Sequence, residues 1–249
     1  MNTSQPNLRW YDYLRSLIGI ILFMTLFTLL IPILSVLLIL SFGRLSNWFI
    51  EELAPPVARF ILWVLGITFN ISSVNQGKLD HPAIYIVNHA STLDILTILA
   101  LGIKKVRFVA KWELQYFPFF FLLGRLTGQI FIKRQNREKA IETLQESYER
   151  VQKHGYSIFI APEGTRKHEM PIGAFKKGAF RMALDLSYPI VPIFFDGNAS
   201  LSRGGSIFTT SGTITAYVYP PISTNDWKEE LLDKHIEDVR GRYLQWSNT

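Results

Sequence analysis

Residues 83–101 have the sequence A-I-Y-I-V-N-H-A-S-T-L-D-I-L-T-I-L-A-L, and this stretch decides the fold class. The apolar run 83–87 is typical of a buried strand, and the run 95–101 is typical of a helix. Turns from a strand into a helix are a feature of α/β folds, which usually carry their chemistry at the carboxyl ends of the strands. His89 and Asp94 lie in this turn, so the same segment also contains a candidate site.

The histidine and the aspartate are five positions apart, and this spacing limits where the helix can begin. On a continuous helix, residues five apart point about 140° away from each other, so His89 must lie before the helix. Ser91 then fits the N-cap and Asp94 the third helical position of an S-x-x-D capping pattern. Asp94 could reach back to the imidazole, fix its tautomer and make it a stronger base. The spacing alone also fits a capped helix with an incidental histidine.

The segment N-H-A-S-T-L-D at residues 88–94 resembles the first signature, N-H-x-S-x-x-D, of the glycerolipid acyltransferases. This family includes the 1-acylglycerol-3-phosphate acyltransferases. Three more segments resemble later blocks of the family and occur in the same order. They are residues 128–134 (G-Q-I-F-I-K-R), 161–166 (A-P-E-G-T-R, with alanine where the family usually has phenylalanine) and 190–193 (I-V-P-I).

Each later block also has a simpler interpretation. Residues 128–134 fit an ordinary amphipathic strand end, residues 161–166 a surface turn, and residues 190–193 a piece of core. Pro192 within a buried strand calls for a sheet edge or a bulge, because proline cannot donate a ladder hydrogen bond. The order and spacing of all four blocks together favour the family.

The resemblance implies transfer of a fatty acyl group from acyl-CoA or acyl carrier protein to the sn-2 hydroxyl of 1-acylglycerol 3-phosphate, which gives phosphatidic acid. His89 would take the proton of the hydroxyl, and Asp94 would orient His89. Arginines can grip a phosphate with two parallel hydrogen bonds, and a glycine permits a positive φ or a close approach of the backbone. The residues expected to bind substrate are Lys111, Lys133, Arg134, Glu163, Gly164, Thr165 and Arg166. No cofactor and no metal are expected.

The composition limits the classes of protein that are possible. The chain has 249 residues, of which 48% are hydrophobic and 18% charged, and it has no cysteine, so disulfides and a cysteine nucleophile are excluded. Five histidines without an H-E-x-x-H motif disfavour a zinc site. The net charge of +6 favours anionic partners, and the hydrophobicity favours a membrane surface or phosphorylated lipids over nucleic acid. Basic residues that suit either acyl donor are Lys104, Lys105, Arg107, Lys176 and Lys177.

The N-terminal part of the chain predicts a membrane anchor. Residues 17–42 carry no charge, and as a helix they would measure about 39 Å, which exceeds the hydrocarbon core of a bilayer. Pro32 divides this run, which could cross once with a kink or dip in and return. Residues 57–69 predict an interfacial helix, with Trp63 at headgroup depth and Arg59 reaching a lipid phosphate. We expect an anchor at 1–70 and an α/β acyltransferase domain at 71–249 on the cytoplasmic face of the membrane.

The catalytic part alternates between strand-like and helix-like runs, which is typical of an α/β domain. We expect a mostly parallel mixed sheet covered by helices, with an N-terminal helical membrane anchor and a last strand that is a candidate for antiparallel pairing. The predicted strands are 83–87, 106–110, 129–133, 157–160, 190–195 and 213–219. The predicted helices are 93–101, 112–123, 137–153, 175–186 and 227–245.

Other functions fit parts of the same pattern. An acyltransferase could act on glycerol 3-phosphate, a lysophospholipid or an aminolipid, because all of these reactions can use the same histidine and aspartate. A noncatalytic lipid-binding protein of the membrane is a second alternative, but it would have no need of His89 as a base. A serine hydrolase is disfavoured because the chain has no G-x-S-x-G motif.

Overall fold

A computed structural model describes residues 8–77, 79, 82–133, 135–165, 172–202 and 205–248 of the chain. The strands are β1 Ile67–Ser73, β2 Ile84–Val87, β3 Val106–Lys111, β4 Ile130–Ile132, β5 Ser157–Ile160, β6 Ile190–Asp196 and β7 Gly212–Val218. The helices are α1 Trp10–Leu40, α2 Ser46–Trp48, α3 Ala54–Val64, α4 Asp94–Ala100, α5 Pro118–Leu126, α6 Arg137–His154, α7 Lys177–Leu186, α8 Asn198–Leu201 and α9 Leu232–Trp246. A π-helical turn, Phe49–Leu53, joins α2 to α3, and 3-10 helices Trp112–Tyr116 and Glu229–Leu231 precede α5 and α9.

Within the described residues, seven strands form one mixed sheet in the order β1-β7-β6-β2-β5-β3-β4. Strands β2 to β6 are parallel to one another, β7 is antiparallel to β6, and β1 is parallel to β7. The prediction of a mostly parallel mixed sheet covered by helices is therefore confirmed, including the antiparallel last strand. The five parallel strands place their carboxyl ends at one edge of the sheet, where ligand sites of open α/β folds form.

The central strands are buried on both faces. Every residue of β2 and of β5 is buried, as expected when helices cover both sides of a parallel sheet. One face packs against α7 and α9, and the other packs against Ile50 of the π-helical turn and against Ile98 and Leu101 at the end of α4. This double burial explains why the strands appear in the sequence as continuous apolar runs instead of alternating ones.

The first strand of the sheet corrects the prediction for residues 57–69. The helix ends at Val64, and residues 67–73 form β1 instead of continuing as an interfacial helix. Gly66, with φ +68°, stands between the two elements, and glycine commonly ends a helix in this conformation. Because β1 crosses residue 70, the sheet begins before the expected domain boundary. The division into an anchor at 1–70 and a catalytic domain at 71–249 stays a prediction.

Two prolines shape the segment before β1 without interrupting its helical path. Pro55 and Pro56 occupy the first turn of α3, where neither can donate a hydrogen bond to the preceding turn. The chain compensates with a π-helical turn, in which the Ala54 N–H donates to the Phe49 carbonyl. Residues 46–64 are therefore one continuous helical stretch.

Helix α1 is long and apolar enough to cross a membrane, judged by length and composition. It continues through Pro32, so the chain does not turn back at that residue. Its first turns are tied to the loop before β7, because the Ser16 Oγ accepts the Thr209 N–H at 3.0 Å. Farther along, Leu34 and Leu38 are buried in a cluster with Leu123 of α5.

The second apolar helix carries both residues for which a lipid contact was expected. Trp63 is 72% exposed and can meet lipid. The Arg59 Nε instead donates to the Ala100 carbonyl at the end of α4, at 3.0 Å. A cation at a helix carboxyl end is favourable, so Arg59 joins α3 to α4 through its Nε. Arg59 is nevertheless exposed, and its contact with a lipid phosphate stays a prediction.

Candidate active site

The histidine and the aspartate of the first block meet at the carboxyl end of β2. His89 Nδ1 lies 2.7 Å from Asp94 Oδ2, so the contact predicted from their spacing is present. The Asp94 side chain is fully buried, while the His89 side chain is 20% exposed. An ionised carboxylate only accepts hydrogen bonds, which assigns the proton to Nδ1 and makes Nε2 the basic nitrogen of the ring.

The turn before α4 adds backbone donors to the aspartate. Asp94 Oδ2 also accepts the N–H groups of Ala90 and Ser91, each at 3.0 Å. The buried Ser91 Oγ accepts the Leu93 N–H at 3.1 Å. The side chains of Ser91 and Asp94 thus accept backbone N–H groups of the turn as expected. The expected helix positions are wrong, because Leu93 is the N-cap and Asp94 is the first residue of the helix. The Ser91 hydroxyl serves the turn and is buried away from solvent.

Asn88 joins this turn to the neighbouring strand. Its Oδ1 accepts the Phe195 N–H at 2.8 Å, and its Nδ2 donates to the Phe195 carbonyl at 2.9 Å. The side chain therefore continues the pairing of β2 with β6 beyond the last residue of β2. This fixes the position of the chain immediately before His89.

Glu163 connects the A-P-E-G-T-R segment at residues 161–166, called the P-E-G block below, to His89. Glu163 is only 2% exposed. Oε1 accepts the His89 N–H at 2.8 Å, and Oε2 accepts the Gly173 N–H at 2.7 Å. Arg240 of α9 in turn donates to the Gly173 carbonyl at 2.9 Å. Glu163 thus holds the backbone of the site in place, and the substrate-binding role expected for it stays a prediction.

A buried tyrosine supports the same edge from α9. The Tyr243 hydroxyl accepts the Ile193 N–H at 3.1 Å and lies 2.9 Å from the Ile86 carbonyl, to which it can donate. Complete burial raises the pKa of Tyr243 well above its ordinary value, so the hydroxyl keeps its proton. The tyrosine therefore bridges β2 and β6 just before the turn that carries His89.

Pro192 lies in β6, between β2 and β7, and not at an edge. Ile190 pairs with Ile222, whereas Ile193 pairs with Val218. Three steps along β6 are therefore matched by four steps on the opposite chain, which is a bulge. The expectation of an edge or a bulge at Pro192 is met by the bulge.

The remaining predicted binding residues follow neighbouring strands at the same edge of the sheet. Lys111 ends β3, and Lys133 follows β4 with its Nζ 5.0 Å from the centre of the Trp112 ring. Gly164 has the positive φ that was expected, +69°, and the exposed Thr165 follows it. Arg134 and Arg166 lie outside the described residues.

A cavity of about 470 Å³ opens beside the P-E-G block, between β4, β5, α6 and α7. Its walls are largely apolar, and cationic side chains stand among them; the lining includes Ile132, Leu144, Ile160, Gly164, Phe175, Lys176, Lys177 and Arg181. Such a lining suits an amphipathic ligand that carries negative charge. A second cavity, of about 430 Å³ beside Tyr219 and Trp246, contains no residue of the four blocks.

One residue that contacts the aspartate was not assigned to the site from the sequence. Asn198, whose side chain contacts Asp94, lies in an ordinary-looking D-G-N segment that gives no signal beyond a turn. Lys176 approaches Gly164, where an added Cβ would lie 2.9 Å from its Nζ. Lys176 is one of the basic residues that the sequence predicted to suit an acyl donor. Among the described residues, no three His, Asp or Glu side chains are grouped as a metal ion would require.

Fold and site together define a class: α/β proteins with a histidine–aspartate pair at the carboxyl edge of a mostly parallel sheet. The chain belongs to the acyltransferase family, since the family model described as Acyltransferase matches residues 68–196. That match begins within β1 and ends with β6, so it includes the histidine, the aspartate and Glu163.

Relatives with curated names carry the comparison further. A 1-acyl-sn-glycerol-3-phosphate acyltransferase of Cocos nucifera is 36% identical over 188 residues, covering 75% of this chain and 60% of that protein. The Homo sapiens enzyme named 1-acyl-sn-glycerol-3-phosphate acyltransferase beta is 29% identical over 195 residues, covering 77% and 70%. The chain thus spans less than two thirds of the length of the coconut relative.

A solved structure supports the fold. The crystal structure of the 1-acyl-sn-glycerophosphate (LPA) acyltransferase PlsC from Thermotoga maritima superposes with a TM-score of 0.75, covering 96% of this chain and 98% of that one. The sequence identity is 22%. The likeness extends over both the α/β sheet and the N-terminal helices.

Proposed function

We propose that this protein transfers a fatty acyl group from an acyl thioester to the sn-2 hydroxyl of 1-acylglycerol 3-phosphate, giving phosphatidic acid. The observation that carries the proposal is the 2.7 Å contact of His89 Nδ1 with the buried Asp94 carboxylate, beside an edge that bears Lys111 and Lys133. The names of the curated relatives agree with this reaction.

The histidine acts as a general base in this proposal. Nε2 of His89 takes the proton of the acceptor hydroxyl as the oxygen attacks the thioester carbonyl. The tetrahedral intermediate then collapses, the carbon–sulfur bond breaks, and the thiolate recovers the proton from the imidazolium. Asp94 stays ionised and stabilises the imidazolium. Because the substrate supplies the nucleophile, no acyl-enzyme forms, and Ser91 has only a structural role.

The cations at the edge of the sheet bind the phosphate of the acceptor in this proposal. Lys111 ends β3 and Lys133 follows β4, which are neighbouring parallel strands, so these two charges lie at the same edge of the sheet. Arg134 and Arg166, from the same blocks of the sequence, are the two guanidinium groups that we assign to the phosphate as well. The positive φ of Gly164 lets the backbone approach a ligand closely. Thr165 is exposed beside it and can donate its hydroxyl to the same phosphate.

The membrane and the acyl donor are the expected partners. The apolar helix α1 would hold the protein at the bilayer in which the acceptor resides, with the catalytic domain on the cytoplasmic face. Of the five basic residues considered for the donor, Arg107 is excluded, because it is buried and its guanidinium lies 3.7 Å from the centre of the Tyr156 ring. Lys104, Lys105, Lys176 and Lys177 are exposed and suit the phosphates of CoA or an acidic carrier protein.

The test is acyl transfer by the purified full chain in detergent or vesicles. Palmitoyl-CoA and palmitoyl acyl carrier protein serve as donors, with lysophosphatidic acid, glycerol 3-phosphate and lysophosphatidylcholine as parallel acceptors. His89→Ala removes the proposed base. His154→Ala is the matched control, because His154 is exposed at the end of α6.

Phosphatidic acid formed from lysophosphatidic acid, lost in His89→Ala and kept in His154→Ala, supports the proposal. Transfer to another acceptor alone keeps the base and changes the substrate. No transfer with any pair of substrates by folded protein overturns the proposal and favours a lipid-binding function.

A further inference from the structure

A buried asparagine outside the four blocks contacts the aspartate of the site. Asn198 is the first residue of α8, directly after β6, and is 1% exposed. Its Nδ2 donates to Asp94 Oδ1 and to Thr97 Oγ1, the latter at 3.2 Å. Both protons of the amide are therefore used within the helix that begins at Asp94.

The chemistry of the partners fixes which way the amide points. Asp94 as a carboxylate can only accept, so the Asn198 NH2 group must face it. The Asn198 Oδ1 is buried, and within the described part of the chain it has no hydrogen-bond partner. A buried carbonyl oxygen without a partner is costly. This orientation is therefore set by the hydrogen bond that the Asn198 NH2 group donates to Asp94, and not by the needs of the Asn198 carbonyl oxygen.

The two oxygens of Asp94 have separate partners. Oδ2 accepts from His89 and from the backbone N–H groups of Ala90 and Ser91, whereas Oδ1 accepts from Asn198. We propose that Asn198 is a positioning residue that acts through Asp94: it holds the carboxylate in the rotation that keeps Oδ2 on His89 Nδ1. This inference rests on the proposed function, since it concerns the base of that reaction.

One contact and one turn of the backbone bring Asn198 next to Asp94. Asn88 pairs with both backbone groups of Phe195, which locks the end of β6 to the residue before His89. Gly197 then turns the chain with φ +95°, where a Cβ would lie 2.4 Å from the Thr213 carbonyl oxygen. Only glycine fits this turn without a clash, and the turn presents the next side chain to Asp94.

Asn198→Asp is the informative substitution, because it keeps the shape of the side chain and replaces the NH2 donor with oxygen. At low pH the introduced carboxyl keeps a proton, since two carboxylates in contact resist ionising together. Its O–H then donates to Asp94 in place of the amide. At higher pH the proton is lost, and a negative charge faces Asp94. The titratable groups linked to the position are Asp94, His89, Glu163 through the His89 backbone, and Asp196 on β6.

The expected result is a change in the pH profile. The ratio of kcat/KM for Asn198→Asp to that of the wild type should fall by at least about tenfold between about pH 5.5 and about pH 9. Asn198→Ala, which adds no charge, should lower kcat at every pH and leave both KM values unchanged, because Asn198 acts on the base and does not touch the substrate. Asn225→Asp makes the same chemical change at an exposed position and should follow the wild type.

Several results overturn the inference. They are a wild-type kcat for Asn198→Ala, a rise in KM without a fall in kcat, or a ratio for Asn198→Asp that does not change with pH. A general structural defect would lower activity without this pH dependence. In the same assay, wild-type transfer and its loss in His89→Ala report on the proposed function, so failure of one idea is distinguishable from failure of the other.

A spectroscopic measurement decides the matter without any substrate. The ¹⁵N shifts of the His89 ring, assigned by their absence in His89→Ala, report which ring nitrogen carries the proton. We expect the Nδ1–H tautomer in the wild type and a mixture of tautomers in Asn198→Ala. An unchanged tautomer in Asn198→Ala contradicts the inference, even if the protein proves to have another activity.

Discussion

Replacing Glu163 with glutamine should weaken the fold and the proposed reaction together. The carboxylate accepts one N–H from His89 and one from Gly173, and it is almost completely buried. A glutamine side chain has one oxygen and one NH2 group. One of the two backbone donors must therefore face another donor, and a buried group left without a partner costs about 1–3 kcal/mol.

This cost translates into measurable changes. In a chain of this size, 1–3 kcal/mol lowers the melting temperature by roughly 2–12 °C. If the lost contact is the one to His89, the same free energy corresponds to a fall in kcat of roughly 5- to 150-fold. Glu163→Ala leaves both donors without their acceptor and should destabilise the fold by about twice as much as Glu163→Gln.

The assay combines thermal unfolding of the detergent-solubilised protein, followed by tryptophan fluorescence, with kcat and KM for acyl transfer. Glu149→Gln, at an exposed position of α6, removes the same charge and should stay within about 0.5 kcal/mol of the wild type. If Glu163→Gln matched this control in both melting temperature and kcat, the reasoning about its two backbone contacts would be refuted.

Three further changes test other parts of the site. Ser91→Ala should lower the free energy of unfolding by about 1 kcal/mol, because the Ser91 Oγ accepts the Leu93 N–H. The variant should retain acyl transfer. An acyl-serine trapped in the wild type and absent from the variant would contradict this. Tyr243→Phe should destabilise the folded state by about 1–3 kcal/mol at neutral pH. Burial raises the pKa of Tyr243 in the folded state, so the free energy of unfolding should fall as the pH rises above about 10. This group contributes a fall of up to about 1.4 kcal/mol per pH unit. In chemical unfolding, the stability of Tyr243→Phe should therefore decrease less steeply with pH than that of the wild type. Arg166→Ala should raise KM for the lysophospholipid acceptor, and unchanged kcat and KM in steady-state kinetics would remove its phosphate-binding role.

The interior of the sheet was predictable because strands that are buried on both faces appear in the sequence as continuous apolar runs. Strand β5 has the predicted bounds, and β2 is one residue shorter than predicted. The edge strand β1 was missed because its first residues extend the apolar run of α3, and apolar runs of this length do not separate helix from strand. The helix-ending role of Gly66 was the local signal for that boundary.

The site was predictable only where its residues are close in sequence. The five-residue spacing of His89 and Asp94 could be converted into a geometry, and the predicted contact is present. The contacts made by Glu163 and Asn198 join segments that are 74 and 104 residues apart. No local pattern encodes such contacts, because they depend on which strands become neighbours in the sheet.

The packing of α1 limits how the chain can be shortened. The start of α1 is hydrogen-bonded to Thr209, and farther along Gly19 touches Leu65 so closely that an added Cβ would lie 2.4 Å from the leucine side chain. A version of the protein that begins after residue 40 would uncover Leu65 and Leu123 and leave the Thr209 N–H without its partner. Newly exposed apolar surface of this kind promotes aggregation. Helix α1, which is long and apolar enough to cross a membrane, therefore also covers part of the hydrophobic core. Replacing it with an unrelated membrane-spanning helix would remove these contacts.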